Sequence, residues 1–488
     1  MSNRPTRHGL GATRRVVARS LCALLAACGS THSIVTKSGN QGGPTPDGGP
    51  VEITLTPATA DIFYGGQVQF AANVTGSDQR VSWTVSESGG GNVSTSGVYT
   101  APLVAGTFHI VAQSEADANK SASAAVTVRA PPGTLPTLAP GVWTNISPPG
   151  LPFNGEPANG TFGQGLALDP SNPATIYFAA HNFDPTPALA GLFKSTDGGT
   201  SWTRIGPLMG PIRVRVDPRN PLHLYDGDGV HGSTLGFWVS NDGGANWEQP
   251  SGFTSITQAY VSDVYDVATD PNDFNHVLLT SHSAWGWTDT QWNATAGVME
   301  SRDGGRSWTL HPPPLRWGYG HNIKFLGNSS TWLLMTQFGD PGTSGFFRTT
   351  DSGATWAQVA AQPMYHGSGQ LYRTSSGVLY ASCDCSNTAG IIRSTDDGIT
   401  WTVLEGSPFK TNGLFGDGRL LYSHTGYVGT GATWPFYTAP ESDGATWTPY
   451  RGGAQSFSDG PFEMAFDAGR RILYSSNWGN GLLALKVP

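Results

Sequence analysis

Short runs of alternating apolar and polar residues recur along the chain, and clusters of Gly, Asn, Ser and Pro separate them. In the first part of the chain the alternation is clear at 51–56, 81–85 and 107–112. A period of two residues is typical of half-buried strands, and short strands separated by such turns are typical of a β-sandwich. We therefore predict a small sandwich over residues 51–129, with Trp83 as its core aromatic residue.

One unit then recurs along residues 141–488, and its clearest part follows the pattern Ser-x-Asp-x-Gly-x-Ser/Thr-Trp. In such a turn the Asp accepts backbone N–H groups, the Gly supplies a positive φ and the Trp packs against the sheet. The motif is therefore interpreted as structural. A degenerate copy ends at Trp447 and has Ser442 in place of the Asp. The five complete copies contain Asp197 and Trp202, Asp242 and Trp247, Asp303 and Trp308, Asp351 and Trp356, and Asp396 and Trp401.

Each unit contains apolar segments for four strands, which is the content of a β-propeller blade. The last unit, 462–485, supplies only three strands, and the segment around Trp143 resembles a strand that follows the motif. We predict that this segment completes the last unit and closes the ring, so that no sheet edge stays exposed. The fold class is then all-β, a seven-bladed propeller behind a sandwich, with one Trp per blade: Trp143, Trp202, Trp247, Trp308, Trp356, Trp401 and Trp447.

These repeats resemble the BNR/Asp-box propellers, a superfamily that includes sialidases, xyloglucanase-type glycoside hydrolases and sortilin-type receptors. The phrase Asp-Pro-x-Asn-Pro-x-x-x-Tyr, at 169–177 and 217–225, is most similar to the xyloglucanase group. The sequence Gly-Val-Tyr-Thr-Ala-Pro at 97–102 resembles the bacterial immunoglobulin-like group 2 domain. The resemblance implies a carbohydrate-binding propeller that hydrolyses glycosidic bonds with paired carboxylates, carried behind an immunoglobulin-like spacer.

Departures from those families keep a second interpretation open. Xyloglucanases of this type pair two propellers around a cleft, whereas the repeats here suffice for one. Their catalytic Asp follows the second strand of the first blade, where 179–184 contains Asp184 without a matching motif. The sialidase Arg-Ile-Pro motif and arginine triad are not found either. Because a fold does not determine chemistry, the alternative is a non-catalytic propeller that binds glycan or protein.

The N-terminal segment predicts export. Residues 1–20 are rich in Arg, and a short apolar run leads to Leu25-Ala26-Ala27-Cys28, which resembles a bacterial lipobox. We expect a signal peptide over 1–27, lipidation of Cys28, a flexible tether over 28–50 and a linker over 130–140. The expected location is the outer membrane or cell surface. An ordinary signal cut before an incidental Cys is the alternative.

The composition of the chain restricts the classes of molecule that it is expected to bind. Charged residues make up 13% of the chain and the formal net charge is −8. Without the five Arg residues of the leader, 22 basic residues stand against 35 acidic ones. An acidic surface disfavours nucleic acid and is compatible with neutral carbohydrate. We expect a monomer that needs no cofactor and no metal. Cys383 and Cys385 are expected to be two thiols or a strained bridge, with a metal role as a minor alternative.

Candidate site residues come from the inner strands and from the loops that follow the second strands. When the inner strands are aligned, Arg213, Asp266 and Glu463 fall on one side and are expected to converge near the mouth of the channel. Asp266, Glu463 and Asp228 are the candidate catalytic carboxylates. In the structural alternative, Arg213 pairs with an acid to stabilise the channel and the Trp cluster of 285–292 packs under a loop. The candidate substrate-binding residues are Arg213, Trp285, Trp287, Asp289, Trp292, Tyr319, His321, His366 and Trp478.

Overall fold

A computed structural model describes most of the chain beyond residue 50. The described residues are 51–76, 78–130, 135–153, 160–182, 189–229, 234–257, 263–282, 297–312, 317, 321–337, 343–365, 369–426 and 432–488. They are nearly all β-strand, with one short α-helix, α1 (Ser251–Thr257), and one 3₁₀ helix (Tyr450–Gly453). None of the helices among them has the length and apolar character that a membrane crossing requires.

The first region folds into three small sheets around one core. Strand β2 pairs with β9 in parallel, and the other pairings of the four-stranded sheet β2-β9-β8-β5 are antiparallel. Strands β1 and β4 form a pair, and β3-β7-β6 form a third sheet. The bounds are β1 (Ile53–Thr56), β2 (Thr59–Phe63), β3 (Gln67–Gln69), β4 (Ala71–Val74), β5 (Val81–Val85), β6 (Asn92–Val93), β7 (Val98–Thr100), β8 (Gly106–Ser114) and β9 (Ser121–Arg129).

The alternation of the sequence explains this core, because every second residue of β8 and β9 is buried. Tyr99 and Phe70 fill the centre, and the Tyr99 hydroxyl donates to the carbonyl of Gly90 at 2.7 Å. Trp83 packs against this core but is only partly buried, so the prediction that it would be the core aromatic residue was wrong. Its strand, β5, lies at the edge of the sheet, and an edge strand is covered on fewer sides.

The second region contains seven successive antiparallel sheets within the described residues, which we number I to VII. Sheets I, III, IV, V and VI have four strands in sequence order, and sheet II has three. The strands of sheets I to III are β11 (Phe162–Asp169), β12 (Asn172–His181), β13 (Gly191–Ser195) and β14 (Thr203–Ile205); β15 (Pro211–Val216), β16 (Leu224–Asp228) and β17 (Gly236–Ser240); β18 (Val264–Thr269), β19 (Val277–Ser281), β20 (Val298–Ser301) and β21 (Thr309–His311).

The remaining sheets continue the same pattern. Sheet VII consists of three C-terminal strands and one strand from the start of the region, β10 (Trp143–Asn145). The strands of sheets IV to VII are β22 (His321–Phe325), β23 (Trp332–Thr336), β24 (Gly345–Thr349) and β25 (Ala357–Ala360); β26 (Leu371–Arg373), β27 (Leu379–Ser386), β28 (Ala389–Ser394) and β29 (Thr402–Val403); β30 (Thr411–Gly416), β31 (Leu420–Thr425), β32 (Tyr437–Pro440) and β33 (Thr448–Pro449); β34 (Pro461–Asp467), β35 (Ile472–Asn477) and β36 (Gly481–Lys486).

Sheet II lacks the expected fourth strand. The backbone after its turn makes only an isolated bridge, in which Val239 and Glu248 exchange hydrogen bonds of 2.9 and 3.0 Å. Pro250 follows and α1 begins directly after it, with the amide of Thr254 donating to the Pro250 carbonyl. The strand therefore stops after one bridge because the chain turns into a helix.

Strand β10 completes sheet VII in the manner predicted for the segment around Trp143. It pairs antiparallel with β36, and Trp143 lies opposite Leu485. The Trp143 ring is 4% exposed and stacks on Phe436 of sheet VI, with ring centroids 4.2 Å apart. The backbone of Trp143 also exchanges hydrogen bonds with the Gln455 side chain. A strand from the start of the region thus covers the outer edge of its last sheet.

The first strands of most neighbouring sheets lie next to each other. Strand β11 contacts both β15 and β34, β15 contacts β18, β18 contacts β22, and β30 contacts β26 and β34. Sheets IV and V share one hydrophobic core that includes Met335, Phe346 and Ala381. The first strands consequently surround a common centre, and we call them the inner strands.

The Asp-containing turns have one hydrogen-bond pattern. Asp197 accepts from the Ser195 hydroxyl at 2.8 Å and from the backbone and side chain of Ser201 at 2.9 and 2.6 Å. Gly199 has a φ of 95°, and the Trp202 indole donates to its carbonyl. The same bonds recur at Asp242, Asp303, Asp351 and Asp396, and the indoles of Trp247, Trp308, Trp356 and Trp401 donate to the matching glycines.

The two regions touch through backbone. The amide of Phe63 donates to the Ser171 carbonyl at 2.9 Å, and that of Gln67 donates to the Pro170 carbonyl. Pro170 and Ser171 form the turn between β11 and β12 of sheet I.

Cys383 and Cys385 are joined by a disulfide with their Cα atoms 5.2 Å apart, which selects the bridge from the alternatives left open by the sequence.

Candidate functional site

Asp266 lies at the centre of a buried charge cluster on the inner strands. Its carboxylate accepts hydrogen bonds from the side chains of Arg213 at 3.1 Å, Arg215 at 3.4 Å and Lys324 at 2.5 Å. The amides of Val267 and Ile323 donate to it as well. Burial alone would raise the pKa of Asp266, but Lys324, Arg213 and Arg215 together hold it below its usual value. The carboxylate is therefore ionised and both oxygens are occupied.

Glu463 joins this cluster from sheet VII. Its carboxylate accepts from Arg215 at 3.0 Å and from the amide of Leu166 at 3.0 Å. Arg213 is 1% exposed; its guanidinium also donates to Asn322 and stacks over the Phe462 ring at 4.4 Å. The structure thus brings together Arg213, Asp266 and Glu463, as the strand alignment predicted.

Local backbone geometry explains why these side chains reach one centre. The pairing register shifts between Pro211 and Arg213, between Val264 and Asp266, and between Pro461 and Glu463. Such β-bulges add one residue to a strand, bend it and redirect the next side chain. A bulge therefore stands directly before each of the three charged residues.

Asp226 and Asp228 lie on β16 beside this cluster, and both are fully buried. Neither oxygen of Asp226 receives a hydrogen bond from the described residues. Burial, followed by the neighbouring Asp228, raises its pKa well above the usual range despite the nearby Arg215. Its surroundings therefore favour the neutral form of the Asp226 carboxyl group.

Asp228 ends β16 at the face where the inner strands begin. One of its oxygens accepts from the amides of Met209 and Gly210, at 3.2 and 3.0 Å, and from the Thr234 hydroxyl at 2.7 Å. The other oxygen has no hydrogen-bond partner among the described residues. Burial, with a smaller contribution from Asp263, raises the pKa of Asp228 to about 6. A carboxyl group with this pKa is partly protonated near neutral pH, which suits a general acid.

Asp263 stands next to Asp228 at the start of β18. A Cβ on Gly229 would lie 2.7 Å from one Asp263 oxygen, so this carboxylate rests against the backbone that follows Asp228. The other Asp263 oxygen faces the His282 ring nitrogen at 3.3 Å. The His282 ring lies 5.1 Å from the Tyr265 ring, whose hydroxyl accepts from Gln337 at 2.7 Å. Sheets II to IV therefore place two carboxyl groups and a polar cluster at this face.

Sheet VII contributes a further buried acid, Asp459, which the sequence analysis did not select. It accepts from the amide of Gly479 at 2.8 Å and from the Ser458 hydroxyl, and burial raises its pKa to about 6. The sequence signal was an Asp just before the inner strand: Asp459 stands two residues before β34, and Asp263 stands one residue before β18. Trp478, a predicted binding residue, packs nearby against Phe162 with ring centroids 4.4 Å apart.

Several predicted residues lie outside the described part of the chain. His321 begins β22, but its side chain is not described. Among the described residues no cluster of three His, Cys, Asp or Glu side chains is arranged to hold a metal ion. The predicted residues outside the description are Cys28, Trp285, Trp287, Asp289, Trp292, Tyr319 and His366, together with Asp184.

Comparison with known proteins finds no matching family model. The chain is 27% identical over 235 residues to a xyloglucanase of Hypocrea jecorina, a match covering 42% of this chain and 28% of that protein. It is 30% identical over 157 residues to an oligoxyloglucan-reducing end-specific xyloglucanase of Emericella nidulans, covering 29% and 18%. The chain thus spans less than a third of the length of these curated relatives.

Solved structures that match part of the chain were also found. An ancestral GH74 enzyme matches 69% of this chain and 47% of its own, with 17% identity and a TM-score of 0.44. YCF48 from Cyanidioschyzon merolae matches 71% of this chain and 98% of its own, with 12% identity and a TM-score of 0.47.

Proposed function

We propose that this chain is a carbohydrate-active β-propeller that binds a xyloglucan-like polysaccharide. The observation that carries the proposal is the sequence likeness to xyloglucanases, which extends over 235 residues in one of them. Polysaccharides of this class are neutral, which agrees with the acidic composition of the chain. The proposed binding face is the one where the inner strands begin, since Asp228, Asp263 and Asp459 lie there.

The architecture we propose is a seven-bladed Asp-box propeller over 141–488 behind an immunoglobulin-like domain over 51–129. Seven successive sheets, the contacts among their inner strands and the pairing of β10 with β36 support this ring. The repeated Asp-to-Trp turns support its assignment to Asp-box repeats. The linker then covers 130–140.

Hydrolysis is proposed to depend on Asp228. Asp266 is occupied by five donors from three cations and two amides, which fits the structural alternative for that residue. Glu463 is tied to Arg215 and Leu166. Asp228 has a free oxygen among the described residues and a pKa of about 6, so it is the candidate acid, and Asp263 is its candidate partner.

The substrate-binding surface is proposed to include Trp285, Trp287 and Trp292, with Asp289 between them, and Tyr319, His321 and His366 from neighbouring units. Aromatic faces stack on sugar rings, and each exposed Trp offers a large planar surface. These residues follow second strands or precede inner strands in the sequence. We therefore propose that they lie on the same face, with His321 at the start of an inner strand.

The test combines binding and hydrolysis with the full chain. We expect retention on xyloglucan in affinity electrophoresis, weaker retention for Trp285→Ala and Trp287→Ala, and release of reducing ends that Asp228→Asn abolishes. Asp61→Asn, an exposed change on the first domain, is the matched control. Binding without any hydrolysis would support the non-catalytic alternative. No binding to xyloglucan would overturn the proposal.

The proposed location is the outer envelope, with Cys28 carrying the lipid and the chain acting as a monomer that does not bind nucleic acid. Labelling of cells with a fatty-acid analogue should mark the wild-type chain and leave Cys28→Ser unlabelled. Labelling of both chains or of neither would contradict lipidation at Cys28.

A further inference from the structure

Two adjoining cavities follow the inner strands away from the proposed glycan-binding face. The first, of about 180 Å³, is lined by Arg213, Arg215, Lys324, Gln370, Leu371 and Glu463. The second, of about 370 Å³, shares Arg215, Lys324 and Leu371 with the first. It also reaches Thr269 and Pro271, at and beyond the end of β18, so it lies towards the face that carries the Asp-containing turns.

The charged residues that line the second cavity are all cationic. They are Arg215, Lys324 and Arg373, and the rest of the lining is Thr269 and residues such as Val267 and Phe325. Arg373 pairs with Asp397 at 2.6 Å, but Asp397 is not part of the lining. The lining of the second cavity thus contains three cations and no carboxylate, a composition that favours an anion over a cation.

Hydrogen-bond donors remain available on this wall. Lys324 has three N–H donors, and one of them is used within the described residues, towards Asp266. The Arg215 guanidinium has five N–H donors. Four of them are used in hydrogen bonds to Val214, Val267, Asp266 and Glu463. Asp266 has both oxygens occupied, so it offers no further acceptor to these groups.

Among the described residues, the ion pairs of the buried cluster join three cations, Arg213, Arg215 and Lys324, to the two carboxylates of Asp266 and Glu463. Asp226 stands close by, and burial with Asp228 next to it raises its pKa well above the usual value, which favours its neutral form. Buried charges are stabilised by partners of opposite sign, so an anion beside Lys324 and Arg215 would be favourable. Burial, with Arg215 and Arg213 next to it, lowers the pKa of Lys324, and a bound anion would oppose that effect.

We propose that the second cavity is a binding site for an oxyanion, a carboxylate, phosphate or sulfate group, held by Lys324 and Arg215 with Arg373 at its edge. Its volume far exceeds the roughly 30 Å³ of one water molecule. Glu463 lines only the first cavity, so its carboxylate does not border an anion seated in the second. The site lies apart from the proposed glycan-binding face and does not depend on that function.

The experiment is isothermal titration of the full chain with sodium phosphate, sodium sulfate and sodium glucuronate, each against sodium chloride of equal ionic strength. We expect saturable binding of one oxyanion per chain. Tighter binding of glucuronate would identify an acidic sugar as the ligand, and tighter binding of phosphate or sulfate would identify an inorganic ion. Absence of saturable binding for all three would overturn the proposal.

Variants localise the site. Lys324→Met should weaken binding by about tenfold or more, because it removes a charge-assisted donor. Arg373→Gln at the cavity edge should weaken it less and offers a second test if the Lys324 variant does not fold. Arg80→Gln, which removes an exposed charge from the first domain, should leave binding unchanged. Equal affinity in the wild type and both cavity variants would refute the assignment.

Discussion

Gly65 and Gly469 meet backbone to backbone where the first region contacts sheet VII. A Cβ atom on Gly469 would lie 1.9 Å from the Cα of Gly65, a distance that no side chain tolerates. Phe63 and Gln67 bond to the Ser171 and Pro170 carbonyls of sheet I. The first region thus touches both the first and the last sheet of the second region.

Gly469→Val should therefore weaken the contact between the first and second regions. Overpacking of a close contact costs about 1–3 kcal/mol. We expect faster proteolysis of the linker at 130–140 and a lower midpoint of thermal unfolding. Ala468→Ser, at an exposed position of the same turn, is the control. Identical digestion of the wild type and the two variants would show that the contact at Gly469 does not hold the two regions together.

Trp143→Ala tests the closure of the second region. The ring is buried, stacks on Phe436 and belongs to the strand that completes sheet VII. Replacing a buried Trp by Ala costs about 3–5 kcal/mol. We expect a loss of this size in the free energy of unfolding measured by urea denaturation. Val142→Ala, at a residue 39% exposed, should change it little, and equal losses in both variants would argue against closure through Trp143.

Asp228 makes stability fall as the pH rises. Its pKa is about 6 in the folded chain and near 3.8 in the unfolded chain, so the folded state binds more protons between these values. Stability is highest below about pH 4 for this group and falls until about pH 6, by roughly 3 kcal/mol. Asp228→Asn should remove that part of the slope, as measured by urea midpoints at several pH values. An unchanged slope would contradict the burial of an ionising Asp228.

Glu300 has the opposite effect, because it makes the stability of the folded chain fall as the pH is lowered. It accepts from His276 and His311 at 2.9 Å and pairs with Arg302 at 2.6 Å. Opposing the effect of burial, these groups lower its pKa to about 2 from 4.5. The stabilisation is present above pH 4.5 and is lost as the pH falls towards 2, by roughly 3 kcal/mol.

Glu300→Gln should consequently lower stability at pH 7 and leave it unchanged near pH 2. Urea denaturation at the two pH values measures this difference. Glu248→Gln, at a position where no ion pair is found among the described residues, is the control. A loss of equal size at both pH values would mean that packing, and not charge, explains the effect.

The strands and their grouping follow from local patterns in the sequence. Alternation with a period of two is a local property, and the Asp, Gly and Trp of each turn interact within a few residues of one another, so both features can be read without a fold. The strand at Trp143 was also predictable, because the last unit lacks one strand. Arg213, Asp266 and Glu463 could be grouped since strand alternation places them on the same side.

What those residues face depends on the packed chain. The β-bulges before Arg213, Asp266 and Glu463 arise in the pairing of each inner strand with the next strand of its sheet. The saturation of Asp266 by Lys324 depends on a neighbouring sheet that is distant in sequence. The raised pKa values of Asp459 and Asp228 likewise follow from burial, which no local sequence pattern indicates. The partial exposure of Trp83 follows from the edge position of β5. Burial and charge are properties of the whole packed chain, and for that reason the sequence predicted the strands better than their chemistry.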